Sequence, residues 1–328
     1  MKEIREMIKA GFANLALLSL YRTGDQVHMQ GMPPNELLTF LNEVRKQDVR
    51  FKNLYDAPVS NFIITVGTIG VFILLLPLAF IYFNPLSYKG MSAAATILVV
   101  FLCAILAIYA GWMLASEVTN LLMNLSINNT LSKYAPALMK RLHAELHRDA
   151  TIDLSASVIP LYSSSRKKRF RSETYGQLPV PLQQLLDTEE KVENEGWRYY
   201  YEWSPSLQLH VTLSDNTRLC VAIHEFGRKH CIVIGTGNNV KISYIYFSFF
   251  VHEVVLLPAG VPDAFNQLTG EEIEELVRKG QAVRLFELEE VESDSDKNTI
   301  HLEAAPSLGV TEKLLYEAYR RLYNLQSY

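Results

Sequence analysis

Hydrophobic positions along this chain follow distinct patterns in successive stretches. From Asn61 to Phe83 and from Met91 to Leu114 they are continuous, and no charged residue lies between Asp56 and Lys89 or between Lys89 and Glu117. At about 1.5 Å rise per residue, each run covers the ~30 Å hydrocarbon core of a bilayer as a helix. The link from Asn84 to Gly90 is too short for a further crossing, so the pattern predicts a two-helix transmembrane hairpin with both flanks on one side.

On either side of these runs the spacing becomes that of amphipathic helices. Ile4, Met7, Ile8, Phe12, Leu15 and Leu18 share one stripe, and Leu37, Leu41, Val44 and Phe51 share another on a helix from Asn35 to about Leu54. Beyond the second run, Val118, Leu122 and Leu125, then Leu131, Ala135, Leu138, Leu142 and Leu146, continue at steps of three or four. These read as a helical stalk able to associate between copies.

From about Asp149 to Gly176 the pattern dissolves into small and polar residues, and alternation then takes over. Trp197, Tyr199, Tyr201 and Trp203, then Leu207, Leu209, Val211 and Leu213, then Leu219, Val221 and Ile223 mark strand faces. Further strands are expected at His230 to Ile234, Lys241 to Phe250 and His252 to Leu257, with turns at Glu225 to Arg228 and Gly235 to Asn239. Helices are expected from Pro181 to Glu193, Glu271 to Lys279 and Thr311 to Leu325.

The resulting fold class is a membrane protein: a two-helix transmembrane hairpin with N-terminal amphipathic helices, a helical stalk and a C-terminal cytosolic α+β domain holding an antiparallel β-meander. The boundaries are 1–56 for the N-terminal helical element, 57–116 for the hairpin, 117–148 for the stalk, 149–176 for a polybasic linker and 177–328 for the α+β domain.

Charge sets the expected orientation. Arg45, Lys46, Arg50 and Lys52 precede the first run, Lys133, Lys140 and Arg141 follow the second, and only Lys89 sits in the link. The positive-inside rule then places the chain in the cell inner membrane as a multi-pass protein with both termini cytoplasmic. Residues 1–173 hold 18 Lys/Arg against 12 Asp/Glu, whereas residues 174–328 hold 13 against 23. An acidic distal domain is a poor match for nucleic acid, so no sequence-specific nucleic-acid partner is expected. The three cysteines, Cys103, Cys220 and Cys231, form no disulfide framework and fit a reducing compartment.

Candidate sites follow from spacing. Cys103, Ala107, Gly111 and Ala115 recur every four residues and make a strip of small side chains for helix packing, against the first run or a second copy. Arg166, Lys167, Lys168, Arg169 and Arg171 form a basic patch suited to anionic lipid or another anion. In the sheet, alternation sets His210 across from Ala222 and diagonal to Cys220 and His224, a cluster with the residue types of metal or thiol chemistry. Its spacing matches no known ligand motif. His143 and His147 lie four apart, but the Glu of a zincin is displaced to Glu145. Gly235-Thr236-Gly237 precedes a strand pattern rather than a helix, which favours a hairpin turn over a phosphate cradle. No P-loop, nucleophile elbow or kinase signature is present, so no catalytic residue, metal or cofactor is assigned.

These features predict a membrane-anchored interaction or regulatory subunit, partnered by the lipid bilayer and by a second copy or a membrane-complex protein. The alternative is a ligand-gated two-helix membrane effector of the bacterial defence type, whose distal domain senses a small molecule or phage component. A membrane-bound enzyme acting on lipid or nucleotide has only the His210, Cys220 and His224 cluster in its favour.

Overall fold

The computed structural model describes residues 2–56, 70, 109, 111, 113, 125–147, 149–161, 167–168, 198–234, 241–259, 270–293 and 304–326. They build one antiparallel sheet with helices against it, an α+β arrangement. Strands β5 (Arg198–Thr212), β6 (Arg218–Ile234), β7 (Lys241–Leu257) and β8 (Val283–Ser293) are consecutive antiparallel neighbours. On the other edge of β5 come β3 (Ile152–Ser157), then β2 (Gln26–Met32) and β1 (Arg22–Thr23), while β4 (Lys167–Lys168) pairs with the N-terminal half of β5.

Alternation decides which face is covered. Leu207, Leu209 and Val211 of β5, Leu219, Val221 and Ile223 of β6, and Phe250, Val254 and Leu256 of β7 all enter one core. Onto that face pack α2 (Pro34–Asp56) through Leu37, Leu41 and Val44, α3 (Ala135–Leu142) through Leu138 and Leu142, and the C-terminal helix through Leu314, Ala318 and Leu322. The N-terminal helix α1 (Lys2–Leu18) lies along α2, with Met7 and Ala10 against Phe51, Tyr55 and Leu125. The approach is close: a Cβ on Gly11 would stand 2.8 Å from Leu125, so a larger residue there would force Leu125 to shift. On the opposite face, α4 (Gly270–Arg278) covers Cys220, Val255, Leu257 and Ala282. The C-terminal helix is α5 (Leu308–Gln326).

The membrane-protein class is corrected by these elements. Among the described residues, no helix is long and apolar enough to cross a membrane. The two runs that carried the expectation, 61–83 and 91–114, lie outside the described residues apart from Gly70, Tyr109, Gly111 and Met113. Placement as a multi-pass inner-membrane protein with cytoplasmic termini rested on spanning helices, and it falls with them.

The expected stalk is also replaced. Leu131, Ala135, Leu138 and Leu142 face the sheet, because the stripe is covered by core strands rather than by another copy. Likewise Ile152, Leu154 and Ala156, inside the expected linker, alternate with Asp153, Ser155 and Ser157 and form β3. The expected turn at Glu225 to Arg228 is absent, since β6 runs through it with Gly227 paired to Tyr201 and Ser248. The helix expected at 181–193 and the turn expected at 235–239 lie outside the described residues.

Candidate functional site

The hairpin between β5 and β6 fixes the geometry of the His/Cys cluster. Asn216 adopts a left-handed conformation (φ 64°) and Asp215 Oδ1 accepts the Thr217 N–H at 2.9 Å, which closes a three-residue turn between Leu213 and Thr217. This turn sets His210 directly opposite Cys220 and Gln208 opposite Ala222, two residues away from the expected register. His210 Nε2 and Cys220 Sγ are 3.8 Å apart. His224 lies on the same face but belongs to a separate group, with Nε2 at 3.1 Å from Glu253 Oε2, while Arg284 Nε donates to Glu253 Oε1 at 2.8 Å.

Burial governs the chemistry of this face. It pushes the Cys220 thiol well above its ordinary range, with the nearby Glu253 charge adding to the effect. Thiolate chemistry needs an exposed, electropositive setting, and this thiol has neither. Burial also lowers the His210 pKa, against the pull of Asp153. For Glu253, burial acts to raise the pKa, but the His224 hydrogen bond and the Arg284 charge together hold it below the usual carboxylate range. Among the described residues, no group of three or more His, Cys, Asp or Glu side chains is arranged to hold a metal ion.

Most of the other expected site residues are not described. Cys103, Ala107 and Ala115 lie outside the described residues, and Gly111 is helical. Arg166, Arg169 and Arg171 also lie outside them, whereas Lys167 and Lys168 form β4 opposite Tyr201 and Tyr200. His143 and His147 do not share a helix face: His143 sits in a short 3-10 turn bonded to Asn35, and the chain is extended from Leu146.

Sequence reading missed polar groups buried on the core face. Glu289 Oε2, His252, Thr311 Oγ1 and Tyr134 OH form a chain, with His252 Nε2 at 2.9 Å from Glu289, Nδ1 at 2.8 Å from Thr311, and Tyr134 OH at 2.6 Å from Thr311. With a neutral ring, Nε2–H donates to the carboxylate, Nδ1 accepts from Thr311, and Tyr134 donates to Thr311, so every member is satisfied. Burial acts to raise the Glu289 pKa, but the His252 and Ser307 N–H hydrogen bonds outweigh it and hold it low. Carboxylate, imidazole and hydroxyl stand in the order of a hydrolase triad, yet His252 and Thr311 are both fully buried. The chain acts as a clamp joining β7, β8, α5 and a π-helical turn, Thr130–Tyr134.

The other end of that turn is held as firmly. Thr130 Oγ1 donates to Glu225 Oε1, and Asn128 Nδ2 donates to Glu225 Oε2 at 2.9 Å. Lys52 Nζ donates to Asp48 Oδ2 at 2.7 Å, Asn129 Oδ1 at 2.7 Å and the Ile127 carbonyl at 3.0 Å, while the Ile127 N–H donates to Asp48 Oδ1. The chain leaving α2 and the chain returning at Leu125 are thus tied to each other and to the sheet. Phase was the signal available: Glu225 continues Leu219, Val221 and Ile223, His252 lies between Phe250 and Val254, and Thr311 continues into Leu314 and Ala318.

With its inner face clamped, α5 turns an aromatic stripe outward. Tyr316 is 75% exposed and Tyr323 63%, and half-buried Tyr319 lies between them with its ring 6.5 Å from that of Tyr323. Exposed Arg320 flanks the stripe. In comparisons with known proteins, no family model, no curated protein and no solved structure matches the chain.

Proposed function

We propose that this chain is an interaction or regulatory subunit that works in an oligomer or a larger complex. The observation that carries the reading is the outer face of α5, where exposed Tyr316 and Tyr323 stand beside Arg320. Tyrosine and arginine are the residue types that dominate binding energy at protein interfaces. The His252–Thr311 bond and the burial of Leu314, Ala318 and Leu322 hold the backbone beneath them, so little ordering cost remains to be met on binding. The enzyme reading loses support because Cys220 is a buried thiol and His224 is engaged with Glu253. Gentle purification of the full chain from its native source, with mass and composition read by native mass spectrometry, tests the proposal. It predicts a species heavier than one chain, and a lone single chain would contradict it.

A ligand-gated effector is the second reading, favoured by the network that ties Glu225 in the sheet to residues flanking 57–124. A signal altering β6 has a direct polar route to the residues that flank that segment. Hydrogen exchange tests the route: Glu225→Gln should raise exchange at Ile127 and at Asn128 to Tyr134, and unchanged protection there would remove the support.

A further inference from the structure

We infer that the partner of α5 is α5 of a second copy, packed antiparallel about a two-fold axis through Tyr316. This rests on the interaction reading above and names its partner and register.

At 100° per residue, Gly309, Glu312, Lys313, Tyr316, Arg320 and Tyr323 fall on the side away from the buried Thr311, Leu314, Ala318 and Leu322, with Glu317 and Asn324 at one margin and Tyr319 at the other, packed against the core. A two-fold axis at Tyr316 sets residues that are equally spaced on either side of it opposite one another, and the centre of this face maps onto itself. Gly309 meets Tyr323, Glu312 meets Arg320, and Tyr316 meets its own copy. Each pairing is complementary: the absent side chain of Gly309 leaves room for a large ring, an acid faces a base, and two rings stack on the axis. Such self-complementarity is what an isologous interface requires. All these positions lie within the helix Leu308–Gln326, so no residue beyond its ends is needed.

Existing surface contacts do not prevent this pairing. Glu312 pairs with Arg141, Arg320 with Glu317 and Lys313 with Glu287, in pairs whose Arg or Lys side chains are more than 60% exposed. Exposed pairs of this kind contribute little and exchange partners readily. A contact through one helix from each copy is smaller than the ~800 Å² per partner of a standard interface. The dimer is therefore reversible and concentration-dependent.

Disulfide trapping in the full chain tests the register, with the wild-type protein and its native cysteines as background. Under mild oxidation Tyr316→Cys should cross-link to itself. Gly309→Cys alone should not, because its two copies would lie about 21 Å apart along the axis, but mixed with Tyr323→Cys it should give the hetero-disulfide. In sedimentation, Arg320→Glu should weaken self-association about tenfold, and adding Glu312→Arg should restore it. Failure of Tyr316→Cys to cross-link above background, or failure of the charge swap to restore association, overturns the register. If native mass spectrometry still finds a complex in that case, the interaction reading survives and only the self-pairing is lost. A single chain without partners overturns both.

Discussion

His252 Nδ1 lies 2.8 Å from Thr311 Oγ1, so the middle of the sheet and the first turn of the C-terminal helix are joined by a buried bond between side chains 59 residues apart. Thr311→Val leaves both His252 and Tyr134 without that partner. A buried polar group left unsatisfied costs about 1–3 kcal/mol, so urea denaturation should show a loss on the order of 3 kcal/mol. Adding Tyr134→Phe should cost less than the sum of the single changes, because the two hydroxyls share one bond. Full additivity would mean that the chain is not a connected unit.

Lys52 and Asp48 form an ion pair with side chains 7% and 0% exposed. Removing one member of such a pair typically costs about 3–5 kcal/mol because the other is left buried and charged. Lys52→Met should therefore destabilise by that order in urea. Asp48→Leu combined with Lys52→Met should recover part of the loss but not all, since Ile127 N–H also donates to Asp48. A Lys52→Met midpoint equal to wild type would show that this site is wetter than its burial indicates.

Much of this architecture is legible in the order of residues, and what is missing has a physical cause. The steps Leu37, Leu41, Val44 and Phe51 mark the face of α2 that is fully buried, and Leu207, Leu209 and Val211 mark the core face of β5. Periodicity states that a face is covered, not what covers it. For that reason Leu131, Ala135, Leu138 and Leu142 could be read as a stalk although they pack on strands from both ends of the chain. Polar residues on a buried face are invisible to a hydrophobic pattern, which hides Glu225, His252 and Asp48. The register of His210 depends on the left-handed Asn216, a local choice that fixes which of two neighbouring pairings forms.

Stability should fall with acid in two stages. As pH drops below the ordinary histidine value of 6.5, the unfolded chain protonates His210 before the folded chain does, and stability is lost. Glu253 and Glu289 lie below the ordinary carboxylate value of 4.5 when folded. Their contribution is complete above that value and is lost as pH falls through their folded values. His210→Gln should flatten the urea midpoint as pH falls below the ordinary histidine value of 6.5, and Glu253→Gln should flatten the more acidic limb. An unchanged upper limb in His210→Gln would remove His210 from the account.

Cys220 should behave as a structural thiol. In a Cys103→Ser, Cys231→Ser background, iodoacetamide labelling should be negligible in native buffer and should rise only with unfolding, because the thiol is buried and its pKa raised. Rapid native labelling would reopen the case for chemistry at the His210 and Cys220 pair.

The most direct measurement of the central claim is the mass of the full chain after gentle purification, compared with that of a Tyr316→Ala, Tyr323→Ala variant. The account predicts a species heavier than one chain for wild type, and loss of the added mass in the variant without loss of folded structure. A single chain for the wild type, or an assembly indifferent to both tyrosines, would contradict it.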